Sequence, residues 1–314
     1  MLIIRGEAWN ANTLSLEKRV VCFDHQSELY LGRLQSLDFK WSIAMYRGGS
    51  PFTLEPVEQG VLAMTPEQVT DISCGAVADP FLLRRGDRWY MFFEVVNKDR
   101  NIGEIAFASS FDLLRWEYGA VVMREPFHLS YPQIFEHNGT VYMVPETRQA
   151  GAVRLYAAAN FPEDWNLVSV LAEGLYADST VLFHQGKWRM FAQRGLDELR
   201  LFQSDRLESG WTGHPGNPFW PANRMYCRPG GRVLSYEGNL YRLAQDGLES
   251  YGKHLRAMRI ERLTDTEFVE REIAESPLLS ATGKGWNGVA MHHMDAVEMA
   301  PGDWLAAVDG ATHG

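Results

Sequence analysis

The sequence predicts an all-β fold, a five-bladed β-propeller with four-stranded blades. Three observations point there. A hairpin-like segment recurs five times along the 314 residues, at steps of 52, 47, 50 and 64. After each of the first four copies come two more strand-like runs, the second opened by an aromatic residue. Helical periodicity is nearly absent, and only Leu14 to Leu34 reads as a short helix.

The first copy runs from Asp79 to Glu94, the second from Tyr131 to Glu146 and the third from Asp178 to Gln193. Each joins two apolar runs through a polar, glycine-containing turn, the chemistry of a β-hairpin. A looser fourth copy runs from Arg228 to Gln245, with extra residues near Gly230 and Gly231. The fifth runs from His292 to Asp309. A period near fifty suits one propeller blade. The aromatics that open the fourth strands are Trp116, Trp165, Trp211 and Phe268, and they read as packing between blades. The fifth copy lacks outer strands. The strand-like run from Phe39 to Tyr46, followed by Phe52 to Glu55, is otherwise unplaced and is expected to complete that blade. Closure of this kind leaves no open sheet edge. No linker-like run splits the chain, so residues 1–314 are expected as one domain with 1–35 as an N-terminal extension.

Composition narrows the partners. The net charge is −10 without any acidic or basic block, which argues against nucleic acid and against an anionic membrane surface. No run approaches the roughly 18 apolar residues of a membrane span. The start, Met-Leu-Ile-Ile before Arg5, is too short for an export signal, so a cytoplasmic protein is expected. Three cysteines without close spacing, Cys22, Cys74 and Cys227, suggest neither a disulfide framework nor a thiolate metal site.

The hairpins also locate a site. In an antiparallel pair the start of one strand lies beside the end of the next, and the first strand of each blade lines the channel. Asp79 and Glu94, Tyr131 and Glu146, Asp178 and Gln193, Arg228 and Gln245, and His292/His293 and Asp309 should therefore meet at one mouth. Asp79, Asp178 and Glu146 are the candidate acid–base groups. Glu94, Tyr131, Arg148, Arg194, Arg228, Arg232, Asp246, His292, His293 and Asp295 are candidate substrate contacts. Paired carboxylates suit chemistry at an anomeric carbon, and arginines grip phosphate or carboxylate at two points. The expected ligand is thus a sugar or glycan, in particular a phosphorylated one. Plainer roles stand beside these: Asp79 before Pro80 and Asp178 before Ser179 are turn formers, and Glu94, Glu146 and Arg232 suit structural ion pairs. No cofactor is expected. His292 and His293 are where a cation could sit, although no ligand spacing demands a metal.

At this point the residues carry a resemblance. Ala78-Asp-Pro-Phe with Trp89 to Glu94 resembles the blade signature of the arabinanase and β-xylosidase propeller glycosidases. Glu125 to Pro132, Met143 to Glu146, Arg228 to Arg232, Ala244 to Asp246 and Met291 to Asp295 resemble more specifically a family related to the N-terminal domain of glucosamine inositolphosphorylceramide transferases. The glycosidase resemblance implies a base at Asp79. It places Tyr131 where an aspartate that tunes the pKa belongs, and Asp178 where a glutamate acid is usual. The fifth-blade histidines resemble the axial histidine of those enzymes. Three functions stay open on this pattern. The first is cytosolic glycosyl transfer from a phosphorylated or nucleotide-activated sugar in polysaccharide or glycoconjugate biosynthesis. The others are glycoside hydrolysis with a rearranged carboxylate pair, and glycan binding or scaffolding without catalysis.

Overall fold

The computed structural model describes the backbone at 3–10 and 15–22 and all of 39–314 except residue 59. The chain divides into two compact units, Met1–Phe39 and Lys40–Gly314. In the first, Ile3–Asn10 pairs antiparallel with Ser15–Cys22. Within the helix expected from Leu14 to Leu34, Ser15–Cys22 is therefore a strand, and the rest of that expectation lies outside the described residues. The run Leu-Glu-Lys-Arg-Val-Val from Leu16 to Val21 ends in two β-branched residues, which favour a pleated strand.

The second unit is a ring of five blades. Blade 1 comprises Cys74–Arg85, Arg88–Asn97, Ile102–Ser110 and Glu117–Met123. Blade 2 comprises Ser130–His137, Thr140–Glu146, Ala152–Asn160 and Asp164–Glu173. Blade 3 comprises Tyr176–His184, Lys187–Arg194, Glu198–Ser204 and Thr212–Gly213. In blade 4 the inner strand is broken into Arg228–Pro229 and Leu234–Tyr236, on either side of the extra glycines. Asn239–Asp246, His254–Leu263 and Phe268–Glu272 follow. Blade 5 takes Met294–Ala300 and Asp303–His313 from the end of the chain, then Phe39–Gly48 and Glu55–Pro56 from its earlier part.

Apolar packing sits between the blades. Five buried clusters fill the five interfaces: Ile43 and Leu305 against Val77 and Met91, Phe81 and Phe92 against Ile134 and Met143, Val144 and Leu155 against Val181 and Met190, Phe191 and Leu201 against Ile260 and Phe268, and Leu243 and Ala257 against Met294 and Trp304. The aromatics that open the fourth strands join these clusters. Trp116, Trp165 and Trp211 each also donate an indole N–H to a carbonyl three or four residues earlier, at Leu113, Pro162 and Leu207. A buried indole needs such a partner, and here it pins the turn before the outer strand.

Candidate functional site

The inner strands of blades 1 to 3 share one local device. Asp79, Tyr131 and Asp178 occupy equivalent places and all lie in the left-handed region, at φ of 53°, 47° and 48°. The register slips beside them, between Ala78 and Phe81, between Val144 and Glu146, and between Ala177 and Thr180. A bulge re-aims a side chain, and a left-handed non-glycine residue costs about 1–2 kcal/mol. Something must hold these residues, and in each case it is a carboxylate. Asp309 accepts the Asp79 N–H at 3.0 Å, Asp79 accepts the Tyr131 N–H at 3.2 Å, and Glu146 accepts the Asp178 N–H at 3.2 Å. Each bond crosses from one blade to the next, so the acids stitch the ring at its axis.

The chemistry concentrates on Glu146, Asp178 and Arg228. Arg228 Nε donates to Asp178 Oδ2 at 2.6 Å, and Gln245 Nε2 donates to the same oxygen at 2.6 Å. Burial pushes the Asp178 carboxyl up, but the charge and hydrogen bonds of Arg228 outweigh this and hold it below the ordinary range. Its neighbour goes the other way. Burial, then the Asp178 charge, raises Glu146 to about 8. The pair therefore holds one charged and one protonated carboxyl. The Glu146 and Arg228 side chains keep 12% and 25% exposure, whereas Asp178 has 1%, so solvent reaches the proton donor and not its partner.

Around this pair, His292 Nδ1 lies 2.9 Å from the Asp309 carboxylate. Burial lowers the basicity of His292, but Asp309 more than offsets it and raises it toward imidazolium. His293 is different. Its Nε2–H donates to the Pro80 carbonyl at 2.9 Å, and burial drops its pKa to about 4, leaving a neutral ring. The Nδ1 of His293 then faces Asp79 Oδ1 at 3.6 Å, and neither atom has a hydrogen-bond partner. Burial raises Asp79 to about 7, and a proton on Oδ1 would make the two complementary. Glu94 lies well above the usual range through burial and the nearby charges of Asp79 and Glu146. Its partner is His128, 3.3 Å away through Nε2, while His128 Nδ1 accepts the Gly103 N–H at 2.8 Å.

The other expected residues divide. Tyr131 is fully buried, and its hydroxyl donates to the Gly231 carbonyl at 3.0 Å and accepts the Gly231 N–H at 2.7 Å. Arg232 is spent on Asp295 and on the carbonyls of Leu82 and Ile134. Phe81 packs edge-on against Tyr131 and lies under the Arg232 guanidinium. Asp246 accepts Arg256 Nε and the Leu248 N–H and so braces the following loop. Arg194 is exposed and makes no bond to the cluster. Arg148 is buried next to Glu146. Asp79, His292 and Asp309 form the one group among the described residues whose ligand atoms lie within 4.8 Å of one another, a spacing that could hold a metal. Asp309 already accepts from Asp79, His292 and His293, so a cation there would compete with the stitching bonds. His293 is not in that group.

Two residues escaped sequence reasoning. Tyr251 lies in the loop after Asp246, with its hydroxyl 3.2 Å from His292 Nε2 and its ring 5.4 Å from the Arg228 guanidinium carbon. Trp41, from the strand that completes blade 5, stacks on His292 at 4.3 Å. A signal for Tyr251 exists in Gly252, whose φ is +63° and where a Cβ would meet the His292 ring at 2.9 Å. Trp41 has no such signal, because its place depends on closure of the ring.

Comparison with known proteins follows the same lines. The model of the family described as glucosamine inositolphosphorylceramide transferase 1, N-terminal, matches residues 35–311. The chain is 35% identical over 312 residues to the glucosamine inositolphosphorylceramide transferase 1 of Arabidopsis thaliana, covering 91% of this chain and 41% of that protein. The protein of the same name from Oryza sativa subsp. japonica is 33% identical over 307 residues, covering 89% and 41%. The chain thus spans about two-fifths of the length of these relatives. Among solved structures, the catalytic domain of the Coprinopsis cinerea GH62 α-L-arabinofuranosidase superposes with a TM-score of 0.57 at 13% identity, over 88% of this chain and 98% of that one. The Cellvibrio cellulosa α-L-arabinanase does so with a TM-score of 0.57 at 14% identity, over 74% and 90%. The fold is that of propeller glycosidases.

Proposed function

The chain belongs to the family of the glucosamine inositolphosphorylceramide transferase 1 N-terminal domain, and on that premise we propose that its funnel takes a phosphorylated or nucleotide-activated sugar into glycosyl transfer in glycoconjugate synthesis. The observation that supports this reading is the contact of Glu146, partly exposed and raised by burial, with Asp178, which is locked to Arg228 and lowered by it. Glu146 gives its proton to the leaving oxygen as the bond from that oxygen to the anomeric carbon breaks, and the electron pair stays on the oxygen. Asp178 stabilises the positive charge that develops on the ring. An acceptor hydroxyl then bonds to the anomeric carbon, and its proton returns to Glu146.

A second reading is favoured by the 41% coverage of the named transferases. In it the propeller binds the glycan, and the bond-making chemistry belongs to the part of those proteins that this chain does not match.

Glu146→Gln separates the two. It is near-isosteric with the protonated acid, so the fold should persist. With nucleotide-sugar and sugar-phosphate donors, turnover should fall about a hundred- to ten-thousand-fold, while calorimetric affinity stays close to the parent's. Sugar binding without turnover in the parent supports the second reading. Full turnover in Glu146→Gln removes the role given to that residue.

A further inference from the structure

Three arginines among the described residues are buried: Arg148, Arg189 and Arg242. Arg189 is paired with Asp265 at 2.7 Å, and Arg242 with Glu270 at 2.5 Å. Arg148, at 9% exposure, has no ion pair, and its Nε and Nη2 are buried without a hydrogen-bond partner. A guanidinium cannot shed its proton in a protein, and burying a lone charge is strongly unfavourable. Two orphaned donors add to that cost. The neighbouring acid offsets only part of this, because burial and the Asp178 charge raise Glu146 toward its neutral form although the Arg148 charge draws it the other way.

The turn that carries Arg148 is fixed from both sides. Thr147, 1% exposed, donates its hydroxyl to the Ala152 carbonyl at 2.5 Å and accepts the Arg154 N–H at 3.2 Å. Gln149 accepts the His128 N–H at 3.0 Å. The backbone of Arg148 is thus fixed two residues from the proton donor of the site, while no hydrogen bond holds Nε or Nη2 of its side chain.

Of the arginines expected to grip an anionic sugar, Arg228 and Arg232 have committed forks, to Asp178 and to Asp295. We propose that Arg148 is the anion subsite instead, and that a phosphate ester on the sugar held at Glu146 draws its guanidinium out of the packing that closes Nε and Nη2 to solvent, so that this edge takes two of the ester's oxygens. The inference rests on the reading of the funnel as a phosphosugar site. It adds which residue takes the charge and explains why a buried cation is left unpaired. A guanidinium fork matches two phosphate oxygens in a plane.

The test uses inorganic phosphate as the probe, at constant ionic strength with chloride as the control anion. Phosphate should raise the melting temperature of the parent, and calorimetry should give Arg148→Met an affinity at least about tenfold weaker, as expected when the fork that grips the anion is lost. In phosphate-free buffer Arg148→Met should melt at the parent's temperature or above it, since an unpaired charge has gone. Arg148→Lys, which keeps the charge and the solubility but loses the fork, should also bind phosphate more weakly than the parent. Hexose 1-phosphate and a nucleoside diphosphate, run in parallel, distinguish an ester on the sugar from a nucleotide donor. Equal phosphate affinity in parent and both variants, or none in the parent, overturns the subsite. Because phosphate alone is the probe, failure of sugar turnover does not imitate either result.

Discussion

Glu146 is the residue whose state is most open to measurement. Burial and the Asp178 charge hold its carboxyl at about 8, against about 4.3 in an unfolded chain. Between those values the folded protein binds a proton that the unfolded chain has released. The stability that this group contributes is therefore complete below about pH 4 and drains as pH rises through about 8. Denaturant midpoints of the parent should fall from about pH 5 to about pH 8, and Glu146→Gln should flatten that fall. An unchanged slope in the variant means that Glu146 is ionised like an ordinary surface acid. Asp178 is expected to behave otherwise. Its charge is the counter-ion of Arg228, so Asp178→Asn should lower stability by about 3–5 kcal/mol, the cost of stranding one member of a buried pair. Equal stability of that variant and the parent in urea would contradict the geometry at Arg228.

At the scale of the element, the propeller repeat is bent to the needs of its axis. Blades 1 to 3 spend a left-handed residue and a bulge on the inner hairpin to bring Asp79, Tyr131 and Asp178 under a carboxylate of the adjacent blade. Blade 4 breaks its inner strand instead, and Arg228 enters from the first fragment. One glycine in blade 1 shows how tight these joints are. A Cβ at Gly103 would meet the Leu129 carbonyl at 2.3 Å and Glu94 Oε1 at 2.5 Å. Gly103→Ala should therefore destabilise the fold by about 1–3 kcal/mol, the usual range for an overpacked site. It should also displace His128 from Glu94, visible as a shift of the His128 imidazole resonances. A variant with the parent's urea midpoint would show that the joint yields without cost.

For the unit Lys40–Gly314, closure is the decisive event. The strand Phe39–Gly48 pairs with Asp303–His313, so residues far apart in sequence complete one blade. Ile43 is fully buried in the cluster that joins that blade to blade 1. Its truncation should reach both neighbours. Ile43→Ala is expected to cost about 2–5 kcal/mol and to promote association of the protein on mild heating, as Asp303–His313 becomes an open edge when Phe39–Gly48 loosens. Light scattering below the main melting transition reads this directly. Absence of both effects would mean that the ring is held closed at the axis alone, by the bonds of Asp309.

The repeat itself was legible in the sequence, because each blade must alternate apolar strands with polar turns and must place an aromatic at the start of its outer strand. The return of Phe39 to Tyr46 to the last blade was legible for the same reason, since a strand without a partner needs one. The strand at Ser15–Cys22 was not, because a short run of mixed polarity fits either period. That Asp79, Glu94, Glu146, Asp178, Arg228 and His292 come close together was also readable, because all sit at hairpin ends. What each of them does was decided only by tertiary structure. Whether a carboxyl is charged depends on which cation from another blade faces it, and that is how Asp178 and Glu146, two residues of one type, come to opposite states. Whether an arginine is free to bind a ligand depends on what the neighbouring blades offer its donors. Arg228 and Arg232 are consumed by acids 50 and 63 residues away in sequence, and Arg148 is left without one.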